Sequence, residues 1–259
     1  THALAHGDLQ QQVPVRSHDE LGELAQAFNQ MSADLARATQ LRRQMTADIA
    51  HDLRTPLTVI GGYIEALRDQ VLPPTPERFD MIYGEVQHLQ QLVEDLRTLS
   101  LADAGELRLN RQPIEPRALL AEVAALFQHR AEQQQIALIV DAADTLPAIN
   151  IDEGRFVQVL SNLVANALRY TPDGGHITLG AVDRSGGVQL IMQDDGAGIS
   201  PEALPHIFDR FYRADQSRQQ ESGESGLGLA IARSIIEAHG GAIHVESEVG
   251  RGTTFTISL

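Results

Sequence analysis

DIAHDLRTPL, residues 48–57, places His51 beside Asp52 and Pro56 five residues after the histidine, in sequence that otherwise predicts helix. A proline inside a helix costs roughly 3 kcal/mol, because it removes an N–H donor and its ring crowds a carbonyl of the preceding turn. That cost needs an explanation. Three are open: a buried histidine near an incidental kink, a metal ligand, and a nucleophile with a neighbouring helper.

A heptad pattern leads into this stretch from its N-terminal side. Apolar residues recur at alternating steps of three and four over about four heptads, with Arg42 as the one break: Leu21, Leu24, Phe28, Met31, Leu35, Ala38, Met45 and Ile49. A single helix cannot bury such a seam, so the pattern predicts a coiled coil with a parallel partner, most simply a second copy.

The position of His51 relative to this seam helps to choose among the three explanations. His51 falls off the seam and is expected to face solvent, which disfavours a buried histidine. No His, Asp or Glu stands four residues away on either side, and the chain has no Cys, so a metal ligand is also disfavoured. A nucleophile needs a partner for its second ring nitrogen, which Asp52 can supply. Because Pro56 removes the N–H that would bond the Asp52 carbonyl, the helix is expected to bend there.

A second helix follows the first. Helical sequence continues to residue 71, is broken by LPPTP at 72–76, and restarts at Thr75-Pro76-Glu77 with a cap, a proline and an acid. A second seam follows: Phe79, Ile82, Val86, Leu89, Val93 and Leu96. Residues 41–100 are therefore predicted to form an antiparallel helical hairpin, and two such hairpins would make a four-helix bundle.

Composition excludes several functional classes. The net charge of −15 argues against nonspecific binding to nucleic acid or anionic lipid. All 20 basic residues are Arg, so the lysine of a P-loop is absent. No apolar run approaches about 18 residues, so nothing is expected to span a bilayer. The polar start at residues 1–10 suggests a fragment of a longer protein.

The pattern changes after residues 101–116. Strands are predicted over 106–112, 136–142, 149–152, 176–184, 187–195, 242–247 and 253–259, and helices over 117–134, 153–171 and 227–241. Hairpin-linked strands with interspersed helices predict an α+β two-layer sandwich over residues 106–259.

Three groups of residues in this region could bind a nucleotide. Asn162 and Asn166 share a helix face, and their amide oxygens suit Mg²⁺, although capping or solvent-facing amides are an alternative. Asp194 ends a strand and could accept from an exocyclic amine, whereas an ordinary glycine turn would also explain Gly196 and Gly198.

The third group is a glycine-rich start of a helix. Gly223, Gly226 and Gly228 could present backbone N–H groups to an anion. The polar residues 213–222 before them suggest a mobile lid, with a generic loop as the alternative.

Taken in order, these motifs resemble a known family. The Asn helix, Asp-x-Gly-x-Gly, FDRFYR at 208–213 and Gly-x-Gly resemble the ATP-binding domain of sensor histidine kinases, a branch of the Bergerat-fold ATPases. HDLRTPL at 51–57 resembles their phospho-acceptor box, and residues 6–31 resemble the second half of a HAMP signalling domain. Asp52 stands where Glu is commoner and Arg169 where Lys is common; both keep the charge.

The resemblance implies roles for individual residues. His51 would be the phosphorylated nucleophile, with Asp52 as its helper and Thr55 as a candidate for positioning water in a phosphatase reaction. Asn166 would coordinate Mg²⁺ with Asn162 assisting. The remaining residues would surround ATP: Arg169 and Tyr170 by the phosphates, Asp194, Gly196 and Gly198 at the adenine, Arg213 near the γ-phosphate, and Gly226, Leu227 and Gly228 under the phosphates.

The resemblance also implies an organisation. We expect a multi-domain chain: a partial HAMP domain (1–38), an all-α four-helix-bundle dimerisation and phosphotransfer domain (39–104), and an ATP-binding α+β two-layer sandwich of Bergerat fold (105–259). It would act as a homodimer on a response-regulator receiver domain, as the cytoplasmic portion of an inner-membrane sensor attached through segments absent from this chain. A non-catalytic adaptor is disfavoured by the intact Asn and Gly motifs, and an ATP-driven clamp by the histidine hairpin.

Overall fold

The computed structural model describes residues 13–14, 19–143, 145–184, 187–213 and 225–259. The start of the HAMP-like stretch, Gly223 and nearly all of the lid predicted over 213–222 lie outside these residues. The chain divides into two compact units, residues 1–85 and 86–259. Within the described ranges, no helix is both long and apolar enough to cross a membrane.

Two helices form the predicted hairpin. Helix α1 (Glu20–Arg68) has acids in its first turn and Arg68 in its last, which complements the helix dipole. Helix α2 (Pro76–Asp103) starts at the predicted proline, and its first half contacts α1 where the Tyr63 hydroxyl lies 3.7 Å from the Met81 sulfur. Helix α1 is continuous through Pro56, so the proline does not end it.

The second unit is built around two sheets. Strands β1 (Gln112–Ile114) and β3 (Ile149–Ile151) pair antiparallel. The five-stranded sheet has the order β2-β4-β5-β7-β6, in which only the β2–β4 pair is parallel. Its strands are β2 (Ala137–Ala142), β4 (His176–Arg184), β5 (Gly187–Asp194), β6 (Ala242–Glu248) and β7 (Gly252–Ser258).

Three helices supply the apolar layer that packs with this sheet. They are α3 (Pro116–Gln133), α4 (Glu153–Tyr170) and α5 (Gly228–Ala238). Helix α4 buries one continuous face: Phe156, Val159, Leu160, Leu163, Val164, Ala167 and Leu168. The α+β sandwich is therefore confirmed, and α4 lies at its centre.

One strand prediction is wrong. Residues 106–112 alternate in polarity, yet only Gln112 joins a strand. The Asn110 N–H donates to the Asp152 carboxylate (2.8 Å) rather than to a neighbouring strand, and Arg111 donates to the carbonyl of Ala238 (2.9 Å). A side chain and a helix end, rather than a neighbouring strand, therefore accept these hydrogen bonds.

Polar contacts from α2 hold the N-terminal half of α4. The guanidinium of Arg155 donates to the buried hydroxyl of Thr98 (3.2 Å), and the Gln158 amide reaches the Asp95 carboxylate (3.5 Å). Burial raises the pKa of Asp95, against hydrogen bonds that lower it. These contacts fix the start of the helix that carries both asparagines.

His239 joins the start of α4 to the end of α5. The Asp152 side chain caps α4 by accepting from the Arg155 N–H, and the Asp152 N–H in turn donates to His239 Nε2 (3.0 Å). The other ring nitrogen, Nδ1, lies 2.8 Å from the Ile235 carbonyl. Because a carbonyl can only accept, Nδ1 carries the proton, and the ring must be neutral to keep both bonds.

This geometry predicts a loss of stability in mild acid. Burial lowers the pKa of His239, and the charge of Arg111 lowers it further, against the opposing Ile235 hydrogen bond and Asp152 charge. The folded protein therefore binds this proton less readily than the unfolded chain, whose histidine pKa is about 6.5. The stabilisation is complete above that value and is lost as the pH falls towards the folded pKa, by at most about 1.4 kcal/mol per pH unit.

Calorimetry at about pH 7.5 and about pH 5.5 checks this. The melting temperature of the wild type should fall more than that of His239→Gln, whose amide oxygen can accept from Asp152 without titrating. Equal falls in the two proteins would contradict the assignment.

Candidate active site

The two predicted asparagines lie side by side on α4, both half-buried. The Asn162 side-chain amide donates to the Gly228 carbonyl at the start of α5 (3.0 Å). The side chain of Asn166, one turn later, makes no hydrogen bond within the part of the chain that the structure describes. Its amide oxygen is therefore available to a ligand that enters between α4 and α5.

Arg169 and Tyr170 occupy the last turn of α4. The Arg169 guanidinium lies 5.4 Å from the centre of the Tyr170 ring, a cation–π contact, and the ring itself is exposed. A planar cation held in this way suits bidentate contact with phosphate oxygens.

Asp194, at the end of β5, is a buried carboxylate with one oxygen already occupied. Asp194 is only 7% exposed, and its Oδ1 accepts hydrogen bonds from the N–H groups of Gly196 (2.9 Å) and Thr253 (3.2 Å). Burial raises its pKa, while those two N–H groups lower it. Fixing Oδ1 leaves Oδ2 as an oriented acceptor, which fits an exocyclic amine.

Glycines let the backbone close around this carboxylate. A Cβ on Gly196 would lie 2.6 Å from the Tyr170 carbonyl oxygen, and one on Gly198, where φ is +69°, would lie 2.1 Å from that of Glu248. A larger residue at Gly196 would push the loop away from α4, and one at Gly198 would push it away from the end of β6.

Thr253 is a residue that sequence reasoning missed. It sits at the start of β7 after Gly252, whose own Cβ would lie 1.9 Å from the Asp194 carbonyl oxygen. The only available signal was the GRGTT run at 250–254, a glycine turn directly before a strand. The contact passes through the Thr253 backbone, so the side chain gave no chemical clue.

The start of α5 is held from two sides. The buried Leu227 precedes the helix, and Gly226, at φ +66°, accepts from the Phe211 N–H (3.1 Å). Arg213, two residues after Phe211, is half-buried. The first backbone N–H groups of α5 have no partners inside the helix, so this end suits an anion.

These features converge on one helix. Asn162 contacts the start of α5, and the Tyr170 carbonyl accepts from Ala197 in the loop after Asp194 (3.0 Å). The two contacts are about 12 Å apart along α4 at 1.5 Å per residue. A carboxylate suited to an amine therefore lies near one of these contacts and a helix start suited to an anion near the other, which matches the order of groups in a nucleoside triphosphate.

The donors available fit Mg²⁺ bound together with phosphates. Magnesium prefers oxygen ligands and keeps waters and substrate phosphates in its shell. Among the described residues no cluster of three or more His, Asp or Glu could hold a metal alone. Asn166 would therefore hold Mg²⁺ only alongside nucleotide oxygens.

The histidine site lies in the other unit. The His51 side chain is 80% exposed, and its Nδ1 lies 3.4 Å from Asp52 Oδ1, so the predicted solvent position is confirmed. Thr55 donates to the His51 carbonyl (3.3 Å). A shallow groove is lined by His51, Arg54, Thr55, Thr58 and Val59.

Three families match successive parts of the chain. Residues 1–37 match the HAMP domain, residues 41–105 match the His Kinase A (phospho-acceptor) domain, and residues 151–259 match the family described as Histidine kinase-, DNA gyrase B-, and HSP90-like ATPase.

Comparisons with individual proteins agree with these family matches. The signal transduction histidine-protein kinase BaeS of Escherichia coli is 40% identical over the whole chain, which spans 55% of that protein. The Acinetobacter baumannii histidine kinase AdeS structure is 32% identical with a TM-score of 0.69, covering 81% of this chain and 96% of that one. A structure of histidine kinase ThkA with response regulator protein TrrA is 26% identical with a TM-score of 0.65, covering 86% of this chain and 63% of that one.

The chain thus spans about half the length of the curated relative, and it matches the HAMP, phospho-acceptor and ATPase families in that order. The exposed histidine–aspartate pair lies in the phospho-acceptor region, and the α4-centred site lies in the ATPase region. On this evidence the chain belongs to the sensor histidine kinases of two-component systems.

Proposed function

We propose that this chain transfers the γ-phosphoryl group of Mg·ATP to His51 and then to an aspartate of a response-regulator receiver domain. The observation that carries the proposal is the convergence of Asn166, the start of α5 and Asp194 around α4, in a chain that also presents an exposed His51–Asp52 pair. Regulator binding is supported by the ThkA complex with TrrA.

In the nucleotide site, the protein positions and neutralises rather than forming bonds. Asp194 Oδ2 accepts from the adenine amine, and the first turn of α5 and Arg169 face the phosphates. Arg213 approaches the γ-phosphate. Asn166, one turn after Asn162, would hold Mg²⁺, and the bound ion would draw charge from the phosphate oxygens.

In the histidine site, Asp52 sets the tautomer. Because the carboxylate accepts from Nδ1–H, the lone pair is on Nε2. That lone pair forms the bond to phosphorus while the bond to the β–γ bridging oxygen breaks and ADP leaves with the electron pair. Asp52 stabilises the positive charge on the phosphorylated ring. In the second transfer an aspartate oxygen of the regulator bonds to phosphorus, and the N–P bond breaks.

The seam on α1 supports a homodimer. Apolar side chains are exposed along it in the single chain: Leu21, Leu24, Met31 and Leu35. A second copy in parallel would cover this row. Analytical ultracentrifugation checks the proposal, and a monomer at micromolar concentration would overturn it.

The HAMP match supports a place in a membrane sensor. We infer that this chain is the cytoplasmic portion of an inner-membrane protein, attached through segments outside it. Fractionation of the full-length protein checks this, since recovery in the soluble fraction would contradict it.

The direct test of the kinase is the chemistry of its product. Incubation with γ-labelled ATP and Mg²⁺ should give a protein-bound label that survives base and is lost in acid, as expected for phosphohistidine. Adding a receiver domain should move the label to an acylphosphate, which base removes. The absence of an acid-labile label would overturn the proposal.

Thr55 is proposed to position water when the regulator is dephosphorylated. Replacing Thr55 with Ala should slow dephosphorylation of a phosphorylated receiver domain by about tenfold or more, the scale on which a lost orienting contact acts, while autophosphorylation changes little. Thr55→Ser should restore the rate because it keeps the hydroxyl.

Thr39 offers a matched control for the helix itself. Its hydroxyl makes the same bond to a carbonyl one turn earlier, that of Leu35 (2.8 Å), far from His51. Thr39→Ala should leave dephosphorylation unchanged. Dephosphorylation by Thr55→Ala at the wild-type rate would remove Thr55 from the reaction.

A further inference from the structure

Asn162 makes a contact that a metal ligand would not need. Its side chain lies 3.0 Å from the carbonyl oxygen of Gly228, 66 residues away. A carbonyl can only accept, so the atom that faces it is the amide nitrogen. This fixes the orientation of the amide and turns its oxygen away from Gly228.

Gly228 is the first residue of α5, so the contact acts on the end of the helix that faces the phosphates. A Cβ on Gly228 would lie 3.4 Å from Asn162 Cγ, which shows how closely the two residues approach. The carbonyl has a second lone pair for the helix itself, so the Asn162 bond adds to the helical bonds without replacing one.

The other side of this helix start is already restrained. Gly226 accepts from Phe211, and a Cβ on Gly226 would lie 3.0 Å from the Phe211 backbone. Asn162 therefore supplies the restraint from the α4 side, and it does so one turn from Asn166.

We propose that Asn162 is a positioning residue, whose amide N–H sets the first turn of α5 relative to Asn166, rather than a ligand of Mg²⁺. This rests on the proposed nucleotide site and departs from the assisting role expected by resemblance. Its effect is to keep the anion-binding N–H groups at a fixed distance from the metal-binding oxygen.

Two substitutions separate the roles. Asn162→Asp keeps an oxygen suited to Mg²⁺ but removes the N–H donor. Asn162→His keeps a donor, Nδ1–H, near the amide nitrogen and removes the oxygen. A positioning role predicts that Asp is harmful and His is tolerated, whereas a metal role predicts the reverse.

The first measurement needs no nucleotide. Amide hydrogen exchange in the first turns of α5 should speed up about three- to tenfold in Asn162→Asp, the scale of one lost hydrogen bond. Asn166→Asp is the matched control, because Asn166 makes no such bond, and it should leave exchange in α5 unchanged. Wild-type exchange in Asn162→Asp would overturn the proposal whether or not the chain is a kinase.

The second measurement uses autophosphorylation. Asn162→Asp should raise the KM for Mg·ATP about tenfold with a smaller change in kcat, and Asn162→His should stay within about threefold of the wild type, on the same hydrogen-bond scale. The Mg²⁺ concentration for half-maximal rate should be unchanged in Asn162→His. A tenfold rise in that Mg²⁺ requirement would assign Asn162 to the metal instead. If the His variant does not fold, the exchange result with Asn162→Asp still decides.

Discussion

His51→Gln is expected to reduce the acid-labile label to background, a loss of at least about a thousandfold. Glutamine has no nucleophilic ring nitrogen, and removing a nucleophile costs rate on this scale or more. The substitution leaves no cavity, since the side chain is 80% exposed. Binding of Mg·ATP, measured by calorimetry, should be unchanged because the proposed nucleotide-binding residues lie in the other unit.

His244 provides the matched control. It is also exposed, at 74%, and also lies near a carboxylate, Glu246, at 3.7 Å. His244→Gln should label as the wild type does. Retention of base-stable label in His51→Gln would contradict the assignment of His51, and loss of label in both variants would point to a general effect of removing histidine.

Asp194→Asn is expected to weaken ATP binding roughly 10- to 100-fold, the scale of a hydrogen bond to a charged group. The asparagine oxygen can still accept from Gly196 and Thr253, so the loop should keep its shape. Its NH₂ group then stands where Oδ2 stood and faces the amine of adenine, donor against donor.

The same change should alter the choice of purine. Inosine triphosphate carries a carbonyl in place of the amine, and it should gain affinity for the variant while ATP loses it. Asp195→Asn, which removes the same charge from the adjacent residue, should leave the preference for ATP intact. Titration calorimetry with both nucleotides measures the ratio, and an unchanged ratio in Asp194→Asn would remove Asp194 from base recognition.

The two site helices were predictable because apolar periodicity depends on local sequence. Helix α4 was predicted to within one residue, since its buried face repeats without a break. Polar chemistry on the same helix marked Asn162 and Asn166. The order of the motifs, through the family resemblance, then predicted that Asp194 and Gly228 belong to the same candidate site.

What could not be predicted depends on contacts between distant residues. The bond from Asn162 to Gly228 joins positions 66 residues apart, and the bond from Thr253 to Asp194 uses a backbone N–H, which every residue but proline possesses. The wrong strand at 106–112 has the same origin. Its alternation was real, but the Asp152 carboxylate took the hydrogen bond that a strand partner would have received.

Helix α1 is unbroken from Glu20 to Arg68, so the direction in which His51 points depends on the number of helical residues before it. Each residue turns an α-helix by about 100°. One residue inserted upstream would therefore change the angle between His51 and the apolar seam by about a quarter-turn. Seven inserted residues would return it to within about 20°. Insertions and deletions upstream of His51 should therefore be tolerated only in lengths that preserve the angle between His51 and the seam.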